Sequence, residues 1–209
     1  MTILQIKSSL FSTGGQSSQL ADEYVARQVA ADPDAEVIVR DLALNPVPHL
    51  TAERFQSFLA KPEARTPAQQ EVAAFSDALI AELRAADTIV IGLPMYNFGV
   101  PSTLKAYFDH VARAGETFRY TEKGPLGLLT GKRAIVFATR GGVYAGTPLD
   151  TETEYLKTFL GFLGITDVEF VYAEGLARGD AIKQVSLATA RIASQRLDLA
   201  QRADAVAMH

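Results

Sequence analysis

The stretch Ile3-Leu4-Gln5-Ile6-Lys7-Ser8-Ser9-Leu10-Phe11-Ser12-Thr13-Gly14-Gly15-Gln16-Ser17-Ser18 passes from a short β-prone run, through a loop of hydroxyls and glycines, into the start of a helix. The helix is read from Ala21, Val25 and Val29, which recur every fourth residue and so share one face. A second β-branched run, Val37-Ile38-Val39, follows it, and a strand, helix and strand in this order make a parallel crossover. Outward from this unit, Thr88-Ile89-Val90-Ile91, Ala134-Ile135-Val136-Phe137-Ala138 and Val168-Glu169-Phe170-Val171-Tyr172 supply three more strands. The runs beginning at Thr88 and Ala134 are apolar without alternation, as central strands covered on both faces require.

Helical spacing fills the gaps between strands. Val72, Phe75, Leu79 and Leu83 form an inward face, and Thr66 as cap, Pro67 in the first turn and Gln69 as partner spell a capping box at its start. A further helix begins near Pro101, with Leu104, Phe108 and Val111 inward, and Gly115 is expected to end it. Two more cover residues 155–163 and 181–206. This alternation predicts one domain over residues 1–209 of class α/β, a doubly wound five-stranded parallel sheet with helices on both faces. Five strands favour the flavodoxin-like order 2-1-3-4-5, which places a ligand beyond the carboxyl ends of strands one, three and four. Residues 42–67, with Asn45-Pro46-Val47-Pro48 and a short helix near residues 55–59, read as an insertion in the minimal unit.

Composition narrows the chemistry. Hydrophobic residues make up 48% and charged residues 21% of the 209 residues, a globular balance that predicts a folded, soluble chain. A net charge of −4 and a pI near 5.4 argue against nucleic acid as a partner, since that needs a basic stripe to displace phosphate counterions. With no cysteine there is no disulfide framework, thiolate nucleophile or cysteine-ligated metal, so redox chemistry must come from a cofactor. His49, His110 and His209 lack metal-ligand spacing, and no metal site is expected. The nucleophile elbow of α/β-hydrolases is missing, and the acidic residues scatter as solvated helix faces do. No run approaches the roughly 18 apolar residues of a membrane span. The amino-terminal residues lack the features of a secretory signal, so a cytoplasmic protein is expected.

Three loops follow the strands at the switch point. In the first, Lys7 to Ser18, glycines admit close approach of backbone amides, hydroxyls add donors, and the helix dipole favours a phosphate. It has neither the lysine of a nucleoside triphosphate loop nor the glycine spacing of a dinucleotide loop. A monophosphate fits better, and FMN carries one. The competing reading is that Ser17 or Ser18 merely caps the helix. In the second, Gly92-Leu93-Pro94-Met95-Tyr96-Asn97-Phe98-Gly99-Val100-Pro101 presents a thioether, two aromatics and an amide, suited to the faces and edge of a flat tricyclic ring. Aromatics tucked into the core are the alternative. In the third, Thr139-Arg140-Gly141-Gly142-Val143-Tyr144 exposes amides where the pyrimidine edge of a flavin would lie, although a plain tight turn would look the same.

At these residues the sequence resembles the FMN-dependent NADH-azoreductase family, also described as FMN-dependent NADH:quinone oxidoreductases. The shared blocks are Lys7-Ser8-Ser9 with Gln16-Ser17, Arg40-Asp41-Leu42 with Asn45-Pro46, Pro94-Met95-Tyr96-Asn97-Phe98, Val111-Ala112-Arg113-Ala114-Gly115 through Thr117-Phe118-Arg119-Tyr120-Thr121, Thr139-Arg140-Gly141-Gly142, and Thr158-Phe159-Leu160-Gly161-Phe162. The resemblance implies bound FMN, with NADH or NADPH as electron donor. It implies that Ser9, Gly15, Gln16 and Ser17 hold the phosphate, Gly15 by its backbone alone. Met95, Tyr96, Asn97 and Phe98 would flank the isoalloxazine, with Thr139, Arg140, Gly141 and Gly142 at its polar edge. Phe98, Tyr120 and Phe162 resemble walls of the substrate pocket, and Tyr144 stands at a variable position of that pocket. Part of the wall would come from the second subunit of a homodimer with its active site at the interface.

The reaction so implied is two-electron reduction of quinones and reductive cleavage of aromatic azo compounds, in ping-pong order. NAD(P)H passes a hydride to flavin N5 and leaves before the acceptor enters the same pocket. No catalytic side chain is expected, because the loops offer aromatics, amides and hydroxyls and the flavin carries the chemistry. The rivals are a one-electron carrier of the flavodoxin type and a flavin-binding sensor or scaffold. Residues 42–67 and 118–128 favour an enzyme with a built pocket.

Overall fold

The computed structural model describes residues 1–207, with side chains described through residue 198; His209 lies outside them. The chain opens with β1 (Thr2–Lys7), α1 (Gln16–Ala31) and β2 (Glu36–Asp41). It continues through α2 (Ala52–Leu59), α3 (Pro67–Ala85), β3 (Thr88–Pro94) and α4 (Ser102–Val111). Two short strands come next, β4 (Phe118–Thr121) and β5 (Gly124–Gly127), then β6 (Arg133–Thr139), α5 (Thr153–Leu163), β7 (Asp167–Ala173) and α6 (Asp180–Ala207).

The strands β2-β1-β3-β6-β7 pair in parallel into one sheet, which is the expected order 2-1-3-4-5 of the five long strands. Side chains alternate across it with period two. Leu4, Ile6, Ile89, Ile91 and Val136 meet Leu79 and Leu83 of α3, Leu104 and Phe108 of α4, and Leu156 and Leu160 of α5. Ile3, Val90, Ile135 and Phe137 meet Leu20 and Tyr24 of α1 and Leu187 and Ala190 of α6 on the opposite face. Each fully buried aliphatic or phenyl side chain contributes about 1.5–3 kcal/mol of transfer free energy. That total explains why the buried middles of β3 and β6 are apolar on both faces. β2 is an edge strand, and Val37 and Val39 are exposed on it.

Local signals are realised where the partners are close in sequence. Thr66 Oγ1 accepts from Gln69 N and Gln69 Oε1 accepts from Thr66 N, forming the predicted box at the start of α3. Two expectations are corrected. The inward face of α3 is built from Ala73, Ser76, Leu79, Ile80 and Leu83, while Phe75 turns outward to sit edge-on to His110, 6.0 Å between ring centroids. The reason is the insertion: α2 packs on α3, and Phe58, His110 and Phe75 form the seam between them. Secondly, α4 ends at Val111 and not at Gly115. Thr117 Oγ1 donates to Val111 O at 2.6 Å and accepts from Arg113 N at 3.0 Å, so a threonine side chain closes the last turn of the helix. Gly115, at φ +85°, serves the next turn instead, where its N–H donates to Phe118 O.

The antiparallel pair β4 and β5 goes beyond the strands expected from the sequence. It seats against the end of α5, where Leu129 N donates to Leu163 O at 2.8 Å. Gly127 lies so close to Gly164 that a Cβ on it would sit 2.0 Å from the Gly164 nitrogen. Among the described residues no helix is long and apolar enough to cross a membrane.

Candidate functional site

The register Lys7↔Gly92 and Pro94↔Thr139 brings the carboxyl ends of β1, β3 and β6 together. Their three loops enclose one cavity of about 320 Å³, within the range of small-ligand pockets. Ser9, Gly15 and Gln16 line it from the first loop, Met95 and Tyr96 from the second, and Thr139, Arg140 and Gly141 from the third. Ser17, Asn97, Phe98 and Gly142, also singled out in the sequence, are not among the lining residues.

The first loop is braced from β2. Ser12, at φ +49°, donates its hydroxyl to Asp41, whose other carboxylate oxygen accepts from Ala43 N at 2.9 Å. Gly15 caps α1 with no side-chain hydrogen bond, so neither Ser17 nor Ser18 plays the capping role. Both hydroxyls are instead buried without a partner, a condition that costs about 1–3 kcal/mol per group. A Cβ at Gly15 would lie 2.1 Å from Ser9 Oγ, so bare backbone is what fits there. Gly92 plays the same part beneath the helix, since its Cβ would stand 3.1 Å from Ser17 O.

The second loop is a tight turn. Tyr96 and Gly99 exchange both backbone hydrogen bonds at 3.1 Å, with Asn97 at φ +50° and Phe98 at φ +60° between them. Asparagine tolerates this left-handed region, but for phenylalanine it costs roughly 1–2 kcal/mol. Strain of that kind persists where a side chain must be aimed. The Phe98 ring is 52% exposed and leans on Tyr144 at 5.4 Å, while its carbonyl accepts from Thr151 Oγ1. The Tyr96 hydroxyl reaches back to the first loop, accepting from Leu10 N at 3.2 Å and lying 3.4 Å from Ser9 Oγ.

In the third loop, Arg140 O, Gly141 O and Gly142 O accept from Leu176 N, Ala177 N and Gly175 N at 3.1, 3.1 and 2.7 Å. In a planar trans peptide the carbonyl and the following N–H point in opposite directions. The amides of Gly141, Gly142 and Val143 are therefore turned away from residues 175–177. The Arg140 side chain does not enter the cavity; it is enclosed among Asp150, Glu174 and Thr153. Tyr144 lies over Gly142, with its ring carbon Cζ and its hydroxyl oxygen each 2.4 Å from where a Cβ would be.

Residues 1–197 match the model of the flavodoxin-like fold family. The FMN-dependent NADH:quinone oxidoreductase of Cellvibrio japonicus (strain Ueda107) is 57% identical over 178 residues, 85% of this chain and 89% of that protein. The protein of the same name from Alcanivorax borkumensis is 58% identical over 191 residues, 91% of this chain and 96% of that protein. The chain belongs to this family. Among solved structures, azoreductase AzrA is 26% identical with a TM-score of 0.86, covering 94% of this chain and 98% of that one. The FMN-dependent NADH-azoreductase from Bacillus anthracis str. Ames Ancestor, solved in complex with FMN, is 28% identical with a TM-score of 0.83 over the same shares.

For this member of the FMN-dependent NADH:quinone oxidoreductase family, the aromatic residues singled out in the sequence divide into two groups. Phe98, two residues on from the lining residue Tyr96, packs against Tyr144. Tyr120, 76% exposed on β4, meets Phe118 at 5.4 Å, and Phe118 meets Phe162 of α5 at 4.2 Å. No ring contact among the described residues joins the groups. His110 is remote from the cavity's lining: burial lowers its pKa, Nδ1 faces Ala106 O at 2.9 Å, and Nε2 accepts from Arg54 at 3.2 Å.

Sequence reasoning missed Asp41 and Glu174, which brace the first and third loops, and the parts of Phe11 and Leu176 in lining the cavity. Asp41 carried a usable signal, a carboxylate at the end of the strand next to the switch point. Glu174 carried none, because its partners are about a helix and a strand away in the chain. A second, mainly apolar cavity of about 470 Å³, bordered by His49, Val100, Lys105, Thr151 and Tyr155, was also not anticipated.

Proposed function

We propose that this chain is an FMN-dependent NADH:quinone oxidoreductase that also cleaves aromatic azo compounds, acting as a single cytoplasmic domain in a homodimer. The observation that carries the reading is the convergence of the three loops on one cavity, with the Ser17 hydroxyl, buried without a partner, one residue on from the lining residue Gln16.

The residues present fit FMN. Ser17 Oγ is a buried polar atom in want of a partner, and Gly15 leaves open a space that any side chain would close. Ser9, Gln16, Ser17 and the Gly15 amide would hold the phosphate at the positive end of α1. Met95, Asn97 and Phe98 would flank the ring, and Tyr96 would tie the ring loop to the phosphate loop. The amide row of Gly141 and Gly142, with Thr139, would face the polar edge, whereas Arg140 serves from behind. Bound FMN would supply the chemistry, a two-electron exchange in ping-pong order between NADH and a quinone or azo acceptor.

What the chain adds is binding, orientation and fixed dipoles. Phe98 and Tyr144 offer planar apolar surface to planar acceptors and exclude water from that side. Outward amides stabilise negative charge without reorganising. His110 is not among the cavity's lining residues and the Arg140 side chain is committed to carboxylates, so neither offers an acid or base to the cavity. The exposed Tyr120 and its neighbours support the homodimer, in which they would wall the cavity of the partner subunit.

The test is steady-state oxidation of NADH by a quinone, using protein reconstituted with FMN and no second protein. Turnover is expected. A sample that is yellow, releases FMN on denaturation and yet fails to turn over would leave the one-electron carrier standing instead.

A further inference from the structure

Behind the third loop lies a concentration of buried charge that an ordinary turn does not need. The guanidinium of Arg140 is fully enclosed and lies 5.1 Å from the centre of the Tyr172 ring. Nη2 donates to Asp150 at 2.6 Å and to Thr153 Oγ1 at 3.2 Å, and Nε stands 3.6 Å from Glu152. Nη1 donates to Glu174 Oε1 at 3.3 Å. The same oxygen also accepts from Tyr144 N and from Ala145 N, each at 2.8 Å.

One carboxylate oxygen thus grips the loop at both ends, through the Arg140 side chain where it begins and through two backbone amides where it closes. Residues 175–177 take the three intervening carbonyls. With both ends and these three carbonyls fixed on one side, the amides of Gly141, Gly142 and Val143 are left facing the other. Burying charges costs several kcal/mol per ion unless they are well paired.

We propose that Arg140 and Glu174 are positioning residues, a clasp that holds the Gly141-Gly142-Val143 amide row in line for the anionic edge of the ligand. The inference rests on the flavin reading of the cavity. Asp150 serves the clasp by fixing the far side of the guanidinium through its hydrogen bond from Nη2, while Glu152 stands near Nε without a hydrogen bond. Burial would lift the Asp150 carboxyl, but hydrogen bonds from Arg140 and Thr153 hold it below its ordinary pKa and so charged. Burial pushes Glu152 up to about 8 against the pull of Arg140. The positive charge of Arg140 is spent within the cluster, and what reaches the ligand is the alignment of the amides.

The experiment compares Glu174→Gln, which keeps an acceptor oxygen for Tyr144 N and Ala145 N, with Glu174→Ala, which removes it. Amide hydrogen exchange of residues 144, 145 and 175–177, whose N–H groups hold the loop, is read first in the FMN-free protein, and then the dissociation constants of oxidised and reduced FMN. Glu174→Ala is expected to speed exchange at least tenfold, weaken oxidised FMN about tenfold, and weaken reduced FMN several-fold more. Glu174→Gln should stay within about threefold of the unaltered protein in all three. If Glu174→Ala does not fold, Glu174→Asp, one methylene shorter, draws the oxygen back from the amides and is read the same way.

Exchange unchanged in Glu174→Ala, or raised equally in Glu174→Gln, would overturn the clasp. Loosened amides with unaltered FMN affinity would overturn its role toward the ligand. Failure of the flavin reading itself shows separately, as no FMN binding by the unaltered protein.

Discussion

Replacing Ser17 by alanine should move stability and cofactor affinity in opposite directions. The folded chain buries the Ser17 hydroxyl with no hydrogen-bond partner, and such a group costs about 1–3 kcal/mol relative to its hydrated state in the unfolded chain. Deleting one oxygen removes most of that cost and opens a space smaller than a methylene. The FMN-free variant should therefore gain about 1 kcal/mol, or roughly 2–4 °C in Tm for a chain of this size. Toward FMN the same hydroxyl would donate to a phosphate, and a hydrogen bond to a charged group is worth about 1.5–3 kcal/mol. Its loss corresponds to a dissociation constant about 10- to 100-fold weaker. Ser18 is the internal control, for it is equally buried and equally without a partner, but about 100° further round the helix. Ser18→Ala should raise Tm and leave FMN affinity alone. Thermal melts without ligand and titration of FMN fluorescence measure the two effects. Unaltered affinity in Ser17→Ala would refute the reasoning, and equal losses in both variants would shift the cause from the hydroxyl to the packing of α1.

Other consequences attach to single positions. At Phe98, φ +60° penalises any Cβ, so Phe98→Gly should be about 1 kcal/mol more stable than Phe98→Ala, the reverse of their order at an ordinary position; denaturant titration of both variants checks this, and the ordinary order would show that the turn relaxes. Glu152 has a folded pKa of about 8, raised from 4.5 by burial, so its contribution is complete below about pH 4.5 and is lost as pH rises through 8. Because glutamine does not ionise, the stability of Glu152→Gln relative to the unaltered protein should climb by up to about 1.4 kcal/mol per pH unit across that window; a pH-independent difference would mean the carboxyl is hydrated. Gly127→Ala sets a methyl against the backbone of Gly164 and should cost about 2–3 kcal/mol, read as a lower Tm together with faster proteolysis in the turn between β4 and β5.

The sheet was legible because its signals are local and periodic. Ile89-Val90-Ile91 and Ala134-Ile135-Val136-Phe137 read as doubly covered strands without knowledge of their neighbours, and the Thr66 box needs partners only three residues apart. The three loops were found by position, each lying at the carboxyl end of a strand that flanks the switch point. What escaped was tertiary. Gly115 carried the conventional signal for a helix end, but Thr117 reached back to Val111 first and no short-range rule anticipates that competition. Phe75 fitted the inward period of α3 and was drawn out by Phe58 and His110 across the insertion. The side chain of Arg140 stood within a ligand-suited loop, yet its partners Asp150 and Glu174 lie 10 and 34 residues away. The lack of partners for Ser17 and Ser18 could not be read at all, because it depends on what the fold fails to bring near.

The contact of the Tyr96 hydroxyl with Leu10 N and Ser9 Oγ has a bearing on which ligands can be accepted. It joins the loop after β1 to the loop after β3, so the distance between their binding groups is set before any ligand arrives and costs little ordering entropy on binding. Two anchors at a set spacing act as a ruler. A molecule whose anionic tail and flat head are separated by that length engages both at once, and one with a longer or shorter tether must give up one anchor or break the tyrosine's hold.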